Sequence, residues 1–158
     1  DSNREVKKAL MEVVPTYHSP EEVNQKAVEA EEIRLREEAL LRTVTGLYDQ
    51  LFILRQAAKQ TENENWKRQI DIMADRQKEA LALSGIQVIG QNGDRFSYAL
   101  YDAVETMETD QAEMELRVAE VLRCGYVYQG KVIRKAQAAV WRLPEVERES
   151  EMIGTVQK

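Results

Sequence analysis

One cysteine and one histidine are all that this sequence of 158 residues offers toward nucleophilic or multi-ligand metal chemistry. Cys124 lies between Arg123 and Gly125, and a neighbouring cation favours the reactive thiolate. A redox switch is one reading of it; an ordinary strand residue is the preferred one. His18 stands alone, which leaves neither a multi-histidine metal site nor a credible Ser/His/Asp arrangement. The 28 carboxylates fall in no calcium-loop spacing. "GQNGD" at 90–94 is too short for a phosphate loop and reads as a turn. The sequence therefore predicts no enzyme, no cofactor and no metal. What remains is a basic pair, Lys131 and Arg134, within "GYVYQGKVIR". That stretch reads as two short strands joined at Gln129–Gly130. Its two cations either meet a partner or face water.

Bulk composition narrows the partners. A net charge of −6 and a pI near 5.0 argue against nucleic acid as the main partner, since phosphate binding needs basic clusters. No run of eighteen apolar residues is present, so no membrane span is predicted. The opening "DSNREVKKALMEVV" carries no apolar signal core, and a single cysteine forms no internal disulfide; both suit a cytoplasmic setting. Charged residues at 32% against 6% aromatics favour helices with wide solvated faces over a thick globular core.

Those helices are legible. "SPEE" at 19–22 is a start signal: Ser19 caps, Pro20 takes the first turn, and Glu22 closes a capping box. Leu40, Val44, Leu47, Leu51, Leu54 and Ala58 then alternate at four and three, a heptad seam. Val23, Ala27, Ala30 and Ile33 make a thinner stripe upstream, beside an acidic face at 29–38 with pairs such as Glu32–Arg36. Gly46 interrupts the seam at a cost of about 1 kcal/mol relative to alanine, and marks a kink or a close helix crossing. A helix over 20–60 is roughly 60 Å long and needs a partner helix to bury its stripe. "TENEN" (61–65) reads as a turn, and Trp66, Ile70, Met73 and Leu81 resume helical spacing until Gly85 stops it. Two such helical hairpins make a four-helix bundle, which predicts a homodimer with Leu40, Val44, Leu47, Leu51, Leu54, Ile70 and Met73 at its interface.

Past Gly85 the period changes to that of short strands, beginning with "IQVIG" and continuing from Val118. Residues 97–104 fit a short helix or a passage into a strand; residues 105–117 fit a local helix or a loop. The fold class is α+β: residues 1–18 an N-terminal extension, 19–85 a helical dimerisation region, 86–142 a small β-domain, 143–158 a loosely attached tail.

Gly85 through Ile89, Gly93, Phe96, Leu100 through Val104, "EVL" at 120–122, Gly125-Tyr126, "GKVIR" at 130–134 and Ala136 through Val140 carry a resemblance. Over roughly 40–141 the chain resembles the GrpE family, nucleotide exchange factors of DnaK-type chaperones. It departs from the family pattern at Ser97-Tyr98 (Asp-Pro in the family), Tyr101 (histidine) and Lys135 (often proline), and the proline or glycine that usually enters the "EVL" strand is missing. The resemblance implies a homodimer whose β-domain binds the ATPase domain of the chaperone and promotes ADP release. It implies that Phe96, Leu122, Lys131, Arg134 and Val140 lie at or near the partner-facing surface, with β-domain core as the competing reading for Phe96 and Leu122. Gly125 is expected to adopt an unusual backbone angle, and Tyr126 to pack on the sheet. The departures at Ser97, Tyr98 and Tyr101 also admit a structural coiled-coil adaptor that has lost exchange.

Overall fold

The computed structural model describes residues 2–13 and 19–145. Its helices are α1 (Ser2–Val13), α2 (Pro20–Ala58) and α3 (Glu64–Leu83). The chain divides into two compact units between Val44 and Thr45, inside α2.

In the first unit, α1 falls in the stretch expected only as an extension. The start of α2 is the predicted capping box: the Glu22 N–H donates to Ser19 Oγ and the Ser19 N–H to Glu22 Oε2, each at 3.2 Å. On the acidic face the ion pairs centre on Arg34, which reaches Glu31 and Glu38 at 2.5 and 2.6 Å, one turn away in each direction.

The second unit holds the rest of α2, α3 and all the strands. α3 begins at Asn63, whose side chain accepts from the Trp66 N–H at 3.1 Å. It stops at Gly85, whose φ of +82° suits a residue without Cβ. Arg55 on α2 pairs with Asp71 on α3 at 2.8 Å and reaches Asp75 at 3.9 Å, tying the helical hairpin together.

Six strands follow: β1 (Ile86–Ile89), β2 (Tyr101–Glu108), β3 (Val118–Arg123), β4 (Gly125–Tyr128), β5 (Lys131–Arg134) and β6 (Ala136–Arg142). One sheet has the order β1-β4-β5, antiparallel throughout; the other is β2-β6-β3, with β2 parallel to β6 and β3 antiparallel to it. The β4–β5 hairpin turns at Gln129 (φ 49°) and Gly130 (φ 76°) as predicted; two positive φ angles are the type I′ requirement. Of the acidic stretch at 105–117 only the start is strand: β2 runs to Glu108, and a loop with a short 3₁₀ turn at Ala112–Met114 leads toward β3. Pairing with β6 overrides the local helical propensity of "ETME".

Gly125 is structurally required, for a different reason from the expected one. Its φ is not positive; rather, a Cβ there would sit 2.4 Å from the Ala136 nitrogen and 2.6 Å from the Arg134 oxygen. The missing side chain lets β4 lie against the β5–β6 corner.

The core cluster gathers Ile89, Tyr101, Val118, Val121, Ala136 and Ala138, with Phe52 of α2 packed against it. Thr45, Tyr48 and Ala58 are also buried, and α2 from Thr45 onward, nearly four turns, belongs to the same compact unit as the strands. Leu143, the first residue of the expected loose tail, is buried, whereas residues 146–158 lie outside the described ones. At Gly46 no atom of the described residues, its own helix's neighbouring backbone aside, lies within 4 Å of where a Cβ would stand, so no crossing among them requires it.

Candidate functional site

The densest polar chemistry joins α2 to the β4–β5 hairpin. Asp49 is supplied by α2, Tyr126 by β4 and Arg134 by the end of β5. Arg134 grips Asp49 with two prongs, Nη1 to Oδ2 at 2.8 Å and Nη2 to Oδ1 at 2.6 Å. Its Nε and Nη2 also donate to the Cys124 carbonyl, at 3.0 and 2.6 Å. The Tyr126 hydroxyl lies 2.6 Å from Asp49 Oδ1 and 3.0 Å from the Thr45 carbonyl, spanning both acceptors on the helix. The guanidinium stands 5.0 Å over the Tyr126 ring, and Tyr48 meets that ring edge-on at 6.3 Å.

Electrostatics fix the protonation states. Burial pushes the Asp49 carboxyl up, but the hydrogen bonds from Arg134 and Tyr126 outweigh it and hold the carboxyl below its ordinary value. Arg134 is raised, first by its bond to Asp49. Burial, then the bond to Asp49, raises Tyr126. No group here is poised to exchange a proton near neutrality. The arrangement is a carboxylate–guanidinium pair with a phenol donor, suited to holding two elements together.

Cys124 beside it is 2% exposed, and its thiol is pushed up to about 12 by burial and then by Asp49. The thiolate reading suggested by Arg123 therefore fails, because desolvation dominates.

A second polar group pins the turn at 90–94. The buried Tyr101 donates its hydroxyl to Asp94 Oδ2 at 2.7 Å, Asn92 Oδ1 accepts from the Val121 N–H at 3.1 Å, and Arg117 Nη1 donates to the Gly93 carbonyl at 3.1 Å. Tyr101, at the family's histidine position, is thus a core residue with a satisfied polar tip.

The residues singled out as partner-facing scatter. Lys131 is exposed beside the hairpin turn, and Leu122 is exposed on β3. Phe96 is half-buried against the core cluster, with Tyr98 edge-on at 4.8 Å. Arg134 is neither solvated nor free; only 24% of its side chain is exposed. Val140 must be corrected: it is 2% exposed in β6, between β2 and β3, and offers no surface. On the helices, Leu40, Leu47, Leu54 and Met73 are exposed, Leu47 by 67%, while Val44 and Leu51 are half-buried. Ile70 is buried within the chain and so leaves the list of available interface residues. Among the described residues no group of three or more His, Cys, Asp or Glu is placed to hold a metal ion, and no helix is long and apolar enough to cross a membrane.

Sequence reasoning missed Asp49 and Tyr48. Both lie off the heptad seam, and their signal is a second stripe: Thr45, Tyr48, Asp49, Phe52 and Gln56 share one helical face. Gln56 completes that stripe, donating to the Val121 carbonyl at 3.2 Å.

The architecture is α+β: a helical region whose last turns pack with a small two-sheet β-domain. The GrpE family profile matches residues 3–142, and the chain belongs to the GrpE family. It is 35% identical over 106 residues to Protein GrpE of Dichelobacter nodosus, covering 65% of this chain and 56% of that one. To Protein GrpE of Nitratiruptor it is 27% identical over 150 residues, covering 86% and 82%. To that of Thermotoga neapolitana it is 47% identical over 58 residues, covering 37% and 32%. The chain thus spans from about a third to just over half of the Thermotoga and Dichelobacter relatives, and most of the Nitratiruptor one.

Proposed function

We propose that this chain is a homodimeric nucleotide exchange factor that binds the ATPase domain of a DnaK-type chaperone and promotes ADP release, without catalysing a reaction itself. The observation that carries the reading is family membership over nearly the whole described chain. The exposed leucines support the dimer: Leu47 and Leu54 stand one heptad apart on α2, and Leu40 one heptad before them, each about half exposed or more. Phe96, Leu122 and Lys131 are the proposed partner contacts, an aromatic and an aliphatic anchor with one cation for register. The mechanism is differential binding. The β-domain binds the open nucleotide cleft better than the closed one, and shifts that equilibrium by no more than the difference in affinity. Of the three departures, Tyr101 keeps a built role in the core, while Ser97 and Tyr98 are the residues that favour the adaptor reading.

The test is release of a fluorescent nucleotide from the chaperone's ATPase domain, with and without this protein. Acceleration that saturates with concentration is expected, and Lys131→Ala should weaken it while leaving the dimer intact. Binding without acceleration would replace this reading with the adaptor that has lost exchange.

A further inference from the structure

We propose that Asp49, Tyr126 and Arg134 form a clamp that fixes the angle of the β-domain on α2, and that Arg134 serves exchange as a positioning residue through this clamp, not by touching the partner. The second half rests on the exchange-factor reading above; the first does not.

The donor count carries the argument. A guanidinium has five N–H groups. Four are committed inside the chain, two to Asp49 and two to the Cys124 carbonyl. The face of the group is covered by the Tyr126 ring. Little of Arg134 is left for a partner. Asp49 is equally engaged, with Oδ1 meeting both Tyr126 and Arg134 and Oδ2 meeting Arg134.

Leverage follows from where the bonds fall. The clamp meets α2 at Asp49, and Gln56 meets the Val121 carbonyl seven residues later, roughly 10 Å along the axis. Two polar attachments that far apart, with Phe52 packed between them, stop the domain from swivelling. Without the clamp, the Gln56 hydrogen bond and the packing of Phe52 still hold α2 to the domain, and apolar contact is non-directional. A domain free to tilt still folds, yet presents its contact residues in many orientations and loses the benefit of preorganisation.

The experiment uses the full chain as Asp49→Asn, Arg134→Lys and the double variant. The first readout is the distance distribution between spin labels on Gln129→Cys in the hairpin and Gln50→Cys on α2, both exposed sites, in dimers diluted with unlabelled chain. The buried Cys124 stays unlabelled. Both single variants should broaden the distribution at unchanged helix content; an unbroadened distribution overturns the clamp. The second readout is nucleotide release. Each single variant should lower exchange efficiency roughly tenfold, and the double should cost no more than either alone, the signature of a coupled pair. An unimpaired Asp49→Asn beside an impaired Arg134→Lys would mean that Arg134 works by direct contact, and overturns the positioning role. If the unmodified protein accelerates nothing, the exchange reading fails while the distances still judge the clamp. Arg134→Lys keeps the charge and loses only the fork, which guards against simple unfolding.

Discussion

Three glycines of this chain should respond to alanine in three different ways. At Gly125 the added Cβ would run into the backbone of the β5–β6 corner: Ala136 nitrogen at 2.4 Å, Arg134 oxygen at 2.6 Å and the Lys135 carbonyl carbon at 2.8 Å. Ordinary carbon contacts settle near about 3.5 Å, so β4 and the β5–β6 corner must part by roughly 1 Å. Overpacking against side chains that can yield costs about 1–3 kcal/mol; against backbone that also carries the Arg134 clamp, the expected cost is about 3 kcal/mol or more. That is a large share of a typical folding free energy of roughly 5–15 kcal/mol. At Gly130 the surroundings are open and only the φ of +76° resists, at about 1 kcal/mol. At Gly46, helical and with open space, alanine should stabilise by about 1 kcal/mol. Denaturant titration followed by the fluorescence of Trp141 in β6, in a Trp66→Phe background at fixed protein concentration, ranks the three. A Gly125→Ala midpoint no lower than that of Gly130→Ala would refute the close-approach argument. A destabilising Gly46→Ala would place a partner helix against that residue.

Leu47→Glu puts a charge on the exposed seam and should convert the dimer to monomer in light scattering, with the β-domain still folded. Asp49 has a depressed folded pKa, so its contribution to stability is present above the unfolded value of about 3.9 and is lost as pH falls through the folded one. Asp49→Asn should therefore flatten acid unfolding below about pH 4 relative to the parent, as read by circular dichroism. With its thiol held near 12 and buried, Cys124 should react with thiol reagents at pH 8 only through opening of the domain; labelling as fast as an unfolded control would contradict its burial.

How legible each feature was depended on how local its cause is. The capping box at 19–22, the stop at Gly85 and the Gln129–Gly130 turn are set by a few adjacent residues, and the structure places each as the sequence implies. β2 was legible only as one alternative over its first half and not at all over 105–108, because its stability comes from parallel pairing with β6, whose partner residues lie 34–35 positions away: Tyr101 meets Ala136 and Glu108 meets Arg142. Arg134 was visible as a charge on a hairpin, but its partner Asp49 is 85 residues distant and sits in a helix crowded with carboxylates. No local rule selects one acid among those. The burial of Val140 was hidden for the same reason: a central strand is central only by virtue of its neighbours.

The seam and the clamp together say how α2 divides its surface. At about 100° per residue, Leu47, Leu51 and Leu54 cluster on one side of the helix, while Thr45, Tyr48, Asp49, Phe52 and Gln56 cluster roughly 150° away. The second cluster is consumed by the β-domain; Leu47 and Leu54 of the first are left to water. A surface helix in a single-chain core needs one apolar stripe, and two nearly opposed stripes mean two different clients. In a dimer zipped through Leu47 and Leu54, each β-domain then lies on the far side of its helix from the partner chain. Lys131 and Leu122 would be left clear of the dimer contact, and the clamp would carry load between seam and β-domain across the width of a single helix. The Leu47→Glu monomer should accordingly keep its clamp distances unchanged, because nothing in the second stripe depends on the first.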